Sequence, residues 1–139
     1  MSTLSEIGDF LDGLGVASQD GPNKNLFLGG RSDHPDTVLA LYPYPGGAPE
    51  YVQNSFSPST ERVQLQVVAR AVRYEDADRL ISLAWAALAA ITNATISGTK
   101  YLSIRPNSSP GLMGRDANDR VILFFNATVE KEVSLESVS

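Results

Sequence analysis

The stretch Arg62–Arg73, which reads RVQLQVVARAVR, decides the fold of this chain. Its residues alternate along the stretch, and a period of two is typical of a strand that lays one face on a hydrophobic core. The predicted core face carries Val63, Leu65, Val67, Ala69 and Ala71. The predicted opposite face is more polar and carries Gln64, Gln66, Val68, Arg70 and Val72.

The next segment, Glu75–Thr92, is predicted to be a helix. Acidic residues occupy its first turns, where negative charge interacts favourably with the helix dipole. Its apolar residues recur at helical spacing and form one stripe. The stripe consists of Ala77, Leu80, Ile81, Ala84, Leu88 and Ile91. We expect a core built on Leu65, Val67, Leu80, Ile81, Ala84, Leu88, Leu123 and Phe125.

Further elements flank this strand and helix. Apolar residues from Leu4 to Leu14 predict an N-terminal helix, in which Thr3 and Glu6 have the spacing of a capping box. Additional strands are predicted over Asn25–Leu28, Thr37–Tyr44, Tyr101–Pro106 and Arg120–Val133. Long strands without repeated strand–helix–strand units favour an α+β fold. We therefore predict a single domain over 1–139, with an antiparallel or mixed sheet of about four to five strands, two helices on one face, and a flexible tail over 134–139.

The composition limits the classes of function. The chain has 11 basic and 16 acidic residues, so its net charge of -5 argues against a module that binds nucleic acid through a basic surface. It contains no cysteine, which excludes disulfides and thiolate metal sites. We find neither a signal peptide nor an apolar run of the length that crosses a bilayer, so synthesis in the cytoplasm and no membrane association are expected.

No motif predicts catalysis. His34, the only histidine, lies in Asp33-His34-Pro35-Asp36, a sequence typical of a solvated turn. Asp116-Ala117-Asn118-Asp119 is interpreted as a β-turn, because the glycine and distal glutamate of a calcium loop are absent. No nucleophile has a second candidate base nearby. We therefore expect no enzymatic activity, no cofactor and no metal.

Two long polar segments, Gly46–Glu61 and Asn107–Asp119, are predicted to be loops. Loops of this length usually have a function. They contain apolar residues that a solvated loop does not need, namely Tyr51, Phe56, Leu112 and Met113. Two interpretations are open: these residues anchor an adjacent subunit or another protein, or they fold back over their own domain.

Several segments, taken in order, resemble phage tail terminator proteins, also described as minor capsid-like or tail completion proteins. The central match is Glu61–Arg70 followed by Arg73-Tyr74-Glu75-Asp76-Ala77 and Ala86-Ala87-Leu88. Upstream, Leu39–Tyr42 followed by Gly46-Gly47-Ala48-Pro49 is similar to the first strand and turn of that family. Downstream, Pro110–Asp116 and Asp119–Asn126 are similar to its closing loop and strand.

This resemblance implies a structural virion protein that forms a ring, usually hexameric, on the tail tube. Such a ring ends tube polymerisation, joins the tail to the head-completion proteins of the neck, and lets DNA pass through its lumen. Its partners are then copies of itself, the tail tube protein and the neck proteins, and its location is the neck-proximal end of the tail. The matching segments supply further candidate interface residues, namely Arg70, Arg73, Arg115 and Asp116.

Other functions are also open at this point. A head-completion or connector protein of the neck would share the acidic ring and differ in its partners. A small-ligand-binding domain or an enzyme would use clefts beside the two long segments. A monomeric adaptor is a further alternative.

Overall fold

The computed structural model describes residues 3–43, 50–54 and 57–132, with side chains described in 3–43 and 60–132. The predicted tail over 134–139 lies outside these residues. Two helices and eight strands follow one another along the chain. They are α1 (Thr3–Gly13), β1 (Leu26–Leu28), β2 (Val38–Pro43), β3 (Glu50–Asn54), β4 (Ser57–Ala71), α2 (Tyr74–Ala89), β5 (Thr92–Ile96), β6 (Thr99–Pro106), β7 (Gly111–Arg115) and β8 (Val121–Glu132).

The strands form one mixed sheet. Its order is β1-β2-β4-β8-β6-β5, and two further strands extend its flanks, β3 beside β4 and β7 beside β8. All described pairs are antiparallel except β1 with β2, which is parallel. The α+β class with a mixed sheet and two helices is confirmed, but the predicted four to five strands are too few.

The additional strands lie in segments whose sequence has no apolar alternation. The predicted loop Gly46–Glu61 contains β3 and the beginning of β4, and the predicted loop Asn107–Asp119 contains β7. β3 and β7 each pair with one strand only. Because strand propensity mostly reflects packing against neighbours, such flanking strands can form from polar or glycine-rich sequence.

The end of the second helix also differs from the prediction. α2 ends at Ala89, and Thr92 already begins β5 instead of closing the helix. β5 and β6 are joined by Ser97 and Gly98, whose φ angles of 50° and 84° are both positive. Two such residues make the type I′ turn that matches the twist of a tight hairpin. A Ser-Gly pair between short polar strands is a weak signal, which explains why the hairpin was missed.

A single apolar core lies between the sheet and the two helices. In the register, Leu39 is opposite Ala69, and Ala69 is opposite Leu123, so these residues share the face that the helices cover. Ile7 and Leu11 of α1 join the same cluster as the buried stripe of α2. The predicted core is confirmed, since all eight residues are buried: Leu65, Val67, Leu80, Ile81, Ala84, Leu88, Leu123 and Phe125.

One carboxylate lies within this core. Glu6 of α1 is only 2% exposed. It accepts hydrogen bonds of 2.7 Å from the Tyr101 hydroxyl and 2.7 Å from the Thr99 hydroxyl, both on β6. Its carboxylate therefore attaches α1 to the sheet, instead of serving the capping box that its spacing predicts. Burial and the adjacent Glu6 carboxylate raise the pKa of Tyr101.

No helix in the described part of the chain has the length and apolar character needed to cross a membrane.

Candidate assembly interface

The most apolar exposed part of the sheet is the short strand β7. Leu112 is 63% exposed and Met113 is 46% exposed, although both lie in a strand that pairs with β8. On its other side, β7 pairs with no strand of the described residues. An unpaired edge that carries exposed apolar side chains is typical of a contact with another chain. We call Leu112 and Met113 together the β7 surface.

A β-bulge shapes this surface. Leu112 pairs with Leu123 and Gly114 pairs with Ile122, so Met113 is an extra residue without a partner in the ladder. Gly114 has a φ of 140°, which a residue with a side chain rarely adopts. A bulge bends an edge and interrupts its hydrogen-bonding groups. The β7 surface is therefore better suited to contacts through its side chains than to the addition of another strand.

A small cavity lies at the start of β7. It has a volume of about 150 Å³ and is lined by Ser82, Trp85, Ser109 and Pro110. The indole N–H of Trp85 donates a hydrogen bond of 3.0 Å to the carbonyl of Ser108. This bond holds the segment before β7 against α2, and the cavity lies beside the β7 surface.

The other end of β7 lies at one end of the sheet, which we call the clasp end. β2 and β8 begin there, while β4 and β7 finish there, because Val38 pairs with Arg70, and Ala71 and Arg115 both pair with Val121. Residues 29–37, which connect β1 to β2, reach the same end; we call them the strap. Its residues 31–36 are all exposed, so no buried apolar side chain holds this stretch in place.

Two buried arginines hold the strap. Arg70 of β4 is 4% exposed and lies on the sheet face opposite the helices. Its guanidinium donates to three strap carbonyls: Ser32 at 2.8 Å, Pro35 at 2.7 Å and Asp36 at 3.2 Å. Three donors used in this way satisfy a buried cation without a direct carboxylate partner. Burial lowers the pKa of Arg70.

Arg120, which immediately precedes β8, is the second arginine. Its side chain is 5% exposed. It donates to the carboxylates of Asp33 at 2.7 Å, Asp116 at 2.8 Å and Asp36 at 3.2 Å, and to the carbonyl of Asp33 at 2.7 Å. Arg120 thereby joins the strap to the turn between β7 and β8. We call Arg70, Arg120, Asp33, Asp36 and Asp116 the arginine clasp.

Asp116 also organises its own turn. Its carboxylate accepts hydrogen bonds from the backbone N–H groups of Asn118 at 3.0 Å and Arg120 at 2.9 Å. This confirms the predicted turn over residues 116–119, in which Asp119 has a positive φ of 61°. Hydrogen bonds from Arg120 lower the pKa of Asp33 and of Asp116, and hydrogen bonds to these carboxylates raise the pKa of Arg120.

The sequence-predicted interface residues fall into three groups. Leu112 and Met113 are exposed next to each other. Arg73 and Arg115 are also exposed, and they make ion pairs with Glu75 and Asp119 respectively. Arg70 and Asp116 instead make their contacts within the chain, Arg70 with the strap carbonyls and Asp116 with Arg120. Tyr51 lies in β3, where side chains are not described, and Phe56 lies outside the described residues.

The sequence did not point to Arg120, Asp33 or Asp36 as members of a site. Arg120 is far from Asp33 and Asp36 in the chain and shares no motif with them. Only Arg70 has a sequence context that indicates burial. It lies between Val68 and Val72, on a strand face that is otherwise apolar near the clasp end. A buried arginine requires acceptors, and the strap supplies them.

A second, larger cavity bears on the ligand-binding alternative. It has a volume of about 650 Å³, lies between α1 and β1, and is lined by residues that include Asp9, Lys24 and Arg31. Its polar groups already interact with one another, since Asp9 accepts a hydrogen bond from Gln19 and Lys24 lies over the Phe27 ring. Within residues 3–43, 50–54 and 57–132, no cluster of three histidine, aspartate or glutamate side chains is arranged to hold a metal ion.

The chain resembles a known sequence family and a solved structure. A family model described as bacteriophage tail terminator protein matches residues 10–133. No curated protein sequence matches the chain significantly. Among solved structures, a chain from the virion of a native gene transfer agent particle has a similar fold, with a TM-score of 0.55 at 10% sequence identity, covering 77% of this chain and 78% of that chain.

Proposed function

Because the chain belongs to the bacteriophage tail terminator family, and is in that sense a structural protein of a phage tail, we propose that it forms a ring with copies of itself at the end of the tail tube. The family match over residues 10–133 is the observation that carries the proposal. The ring would consist of six copies, stop tube polymerisation and join the tail to the head-completion proteins of the neck. DNA would pass through its lumen.

The surface charge is consistent with this role. The chain has a net charge of -5, and a channel for DNA functions best when its wall does not bind phosphate. The two arginines with the most extensive contacts, Arg70 and Arg120, are buried in the clasp and are not available to phosphate. The role is non-enzymatic, and the neck-proximal end of the virion tail is the location that it requires.

We assign contact between copies to the β7 surface. Leu112 and Met113 are apolar, exposed and adjacent, and Arg73 and Arg115 supply charged groups at the same end of the sheet. An apolar centre with a polar rim is the usual anatomy of a protein–protein interface. The cavity beside Trp85, at about 150 Å³, offers a place for a side chain of the neighbouring copy.

The test is the double variant Leu112→Ser/Met113→Ser. We expect the wild-type protein to form a ring of defined copy number, measured by light scattering after size exclusion, and the double variant to be monomeric. Its stability should stay within about 0.5 kcal/mol of wild type, because surface substitutions rarely cost more. Leu14→Ser is the matched control, since Leu14 is 57% exposed but follows α1, away from β7.

A second assay addresses the tube. Added to polymerising tail tube protein, the wild-type protein should shorten the tubes seen by electron microscopy, and the double variant should not. A wild-type protein that stays monomeric both alone and on tube ends contradicts the proposed function. A ring that binds neck proteins but leaves tube length unchanged would instead identify a head-completion protein.

The non-enzymatic role predicts that the single histidine is dispensable. His34 is exposed in the strap, and its side chain is not a member of the arginine clasp. His34→Ala should therefore leave ring formation and tube capping unchanged. Loss of capping with a normal fold and a normal ring would count against the proposed role.

A further inference from the structure

We infer that Arg120 is a positioning residue that makes the strap and β7 a single ordered unit, so that the β7 surface keeps its shape only while the strap is bound. The part of this inference that concerns assembly rests on the proposed function. The coupling of the two segments rests on the geometry of the clasp alone.

No buried apolar side chain holds residues 31–36 of the strap in place. Residues 31–36 are exposed, and the hydrogen bonds that the described residues donate to the stretch from elsewhere in the chain come from Arg70, from Arg120 and, at 3.4 Å, from the Asn118 side chain. Ordering the backbone of a chain segment costs conformational entropy, which burial of side chains normally offsets. In the strap, charge-assisted hydrogen bonds have to offset this cost instead.

Arg120 binds the strap and the β7–β8 turn at the same time. Its Nη2 and Nη1 atoms bind the strap at Asp33 and Asp36, while its Nε atom binds Asp116 at the start of the β7–β8 turn. The Asn118 side chain adds a contact of 3.4 Å to the Asp33 carboxylate. The N–H groups of a guanidinium point outward in one plane, so they fix the relative position of acceptors around its edges, which a lysine does not.

At its clasp end, β7 makes few other contacts with the sheet. It is five residues long and is interrupted by the bulge at Met113. Beyond the bulge, only Gly114 and Arg115 pair with β8 before the turn begins. The turn is closed by backbone hydrogen bonds of Asp116 with residues 119 and 120, and by the Asp116 carboxylate, which Arg120 holds through both its side chain and its backbone N–H. Loss of the clasp should therefore loosen β7 from this end.

The test measures amide hydrogen exchange by mass spectrometry in three peptides: the strap, residues 111–119, and a reference in α2. The deciding variant is Asp33→Asn/Asp36→Asn, which alters only the strap. These side chains are 67% and 63% exposed, so the domain should fold normally. We expect exchange to rise at least several-fold in the strap and also in residues 111–119, with no change in α2.

Arg120→Gln should produce the same pattern more strongly, and should weaken ring formation. Arg115→Gln is the matched control, because Arg115 lies in the same hairpin with a 55% exposed side chain, whose ion pair and hydrogen bond among the described residues are both with Asp119. It should leave exchange in the strap unchanged. If Arg120→Gln does not fold, the double asparagine variant still decides the question.

Unchanged exchange in residues 111–119 of the double asparagine variant would overturn the inference, whatever happens in the strap. The same holds if Arg115→Gln loosens the strap as much as Arg120→Gln does. Exchange can be measured on a monomer, so failure of the ring proposal and failure of the coupling are distinguishable.

Discussion

Beneath α2 the sheet is held by apolar contact, whereas at the clasp end it is held by two guanidinium groups. The core residues Leu88 and Phe125 are fully buried and are stabilised by close packing that has no preferred bonding direction. Arg120 instead makes a few contacts with fixed distances and angles. Apolar packing determines that these elements associate, and directional bonds determine where each chain segment lies at the surface.

The largest effect is expected in the core. Leu88→Ala should lower the free energy of unfolding by about 2–5 kcal/mol, because it leaves a cavity under α2. Chemical denaturation measures this loss. Leu83→Ala, at a 51% exposed position of the same helix, is the control and should cost less than about 0.5 kcal/mol. A small loss for Leu88→Ala would mean that the core adjusts as readily as a surface.

A smaller effect is expected where the core itself depends on directional bonds. Tyr101→Phe removes the hydroxyl that donates to Glu6 at 2.7 Å and leaves a buried carboxylate oxygen without that donor. The expected cost is about 1–3 kcal/mol. Tyr74→Phe, at a position that is 53% exposed, should be neutral. Equal stability of the two variants would show that water replaces the lost donor at Glu6.

Acid should weaken the contacts at the clasp end. The carboxylates of Asp33 and Asp116 have pKa values lowered from 3.8, chiefly by hydrogen bonds from Arg120, and Asp36, His34 and Arg70 are the other charged or titratable groups of the clasp region. A lowered folded-state pKa contributes stability above pH 3.8 that is lost as the pH falls through the folded-state value. The stability difference between wild type and Arg120→Gln should therefore be constant from pH 5 to 8 and shrink below about pH 3.8.

The clasp contacts should respond weakly to salt. The Arg120 side chain is 5% exposed, so added salt should screen its contacts less than those of the exposed pair Arg73–Glu75. Hydrogen exchange in the strap should therefore change little between low and moderate ionic strength. A strap that loosens strongly in moderate salt would indicate that its contacts behave as ordinary surface ion pairs.

The contrast between the two regions also explains what the sequence could predict. Alternation in β4 and the apolar stripe of α2 are repeated patterns, so the predicted core proved to be buried in full. The clasp depends on Asp33, Arg70 and Arg120, which come together only once β2, β4 and β8 are paired. No local sequence pattern predicts the contact between these three residues. The sequence also does not predict β3, β5 and β7, because strands at the margin of a sheet need little apolar periodicity.

For the candidate interface, the sequence predicted the exposed apolar residues but not the contacts of the charged ones. Leu112 and Met113 were selected because apolar residues in a polar segment lack a local purpose, and the structure leaves both exposed. Arg70 and Asp116 were selected with them through the family resemblance. The structure gives both of these residues partners within the subunit, and that information is held only in the tertiary contacts.

The pairing of β4 with β8 has a consequence for protein synthesis. Twelve residues of β4 face twelve of β8, yet the nearest pair, Ala71 with Val121, is separated by the whole of α2, β5, β6 and β7. The strand at the middle of the sheet is thus the last to leave the ribosome. Until it arrives, β4 has an open apolar edge, and fragments that end before residue 121 have no central strand to complete them. We therefore expect chains that end before residue 121 to aggregate more readily than the full chain.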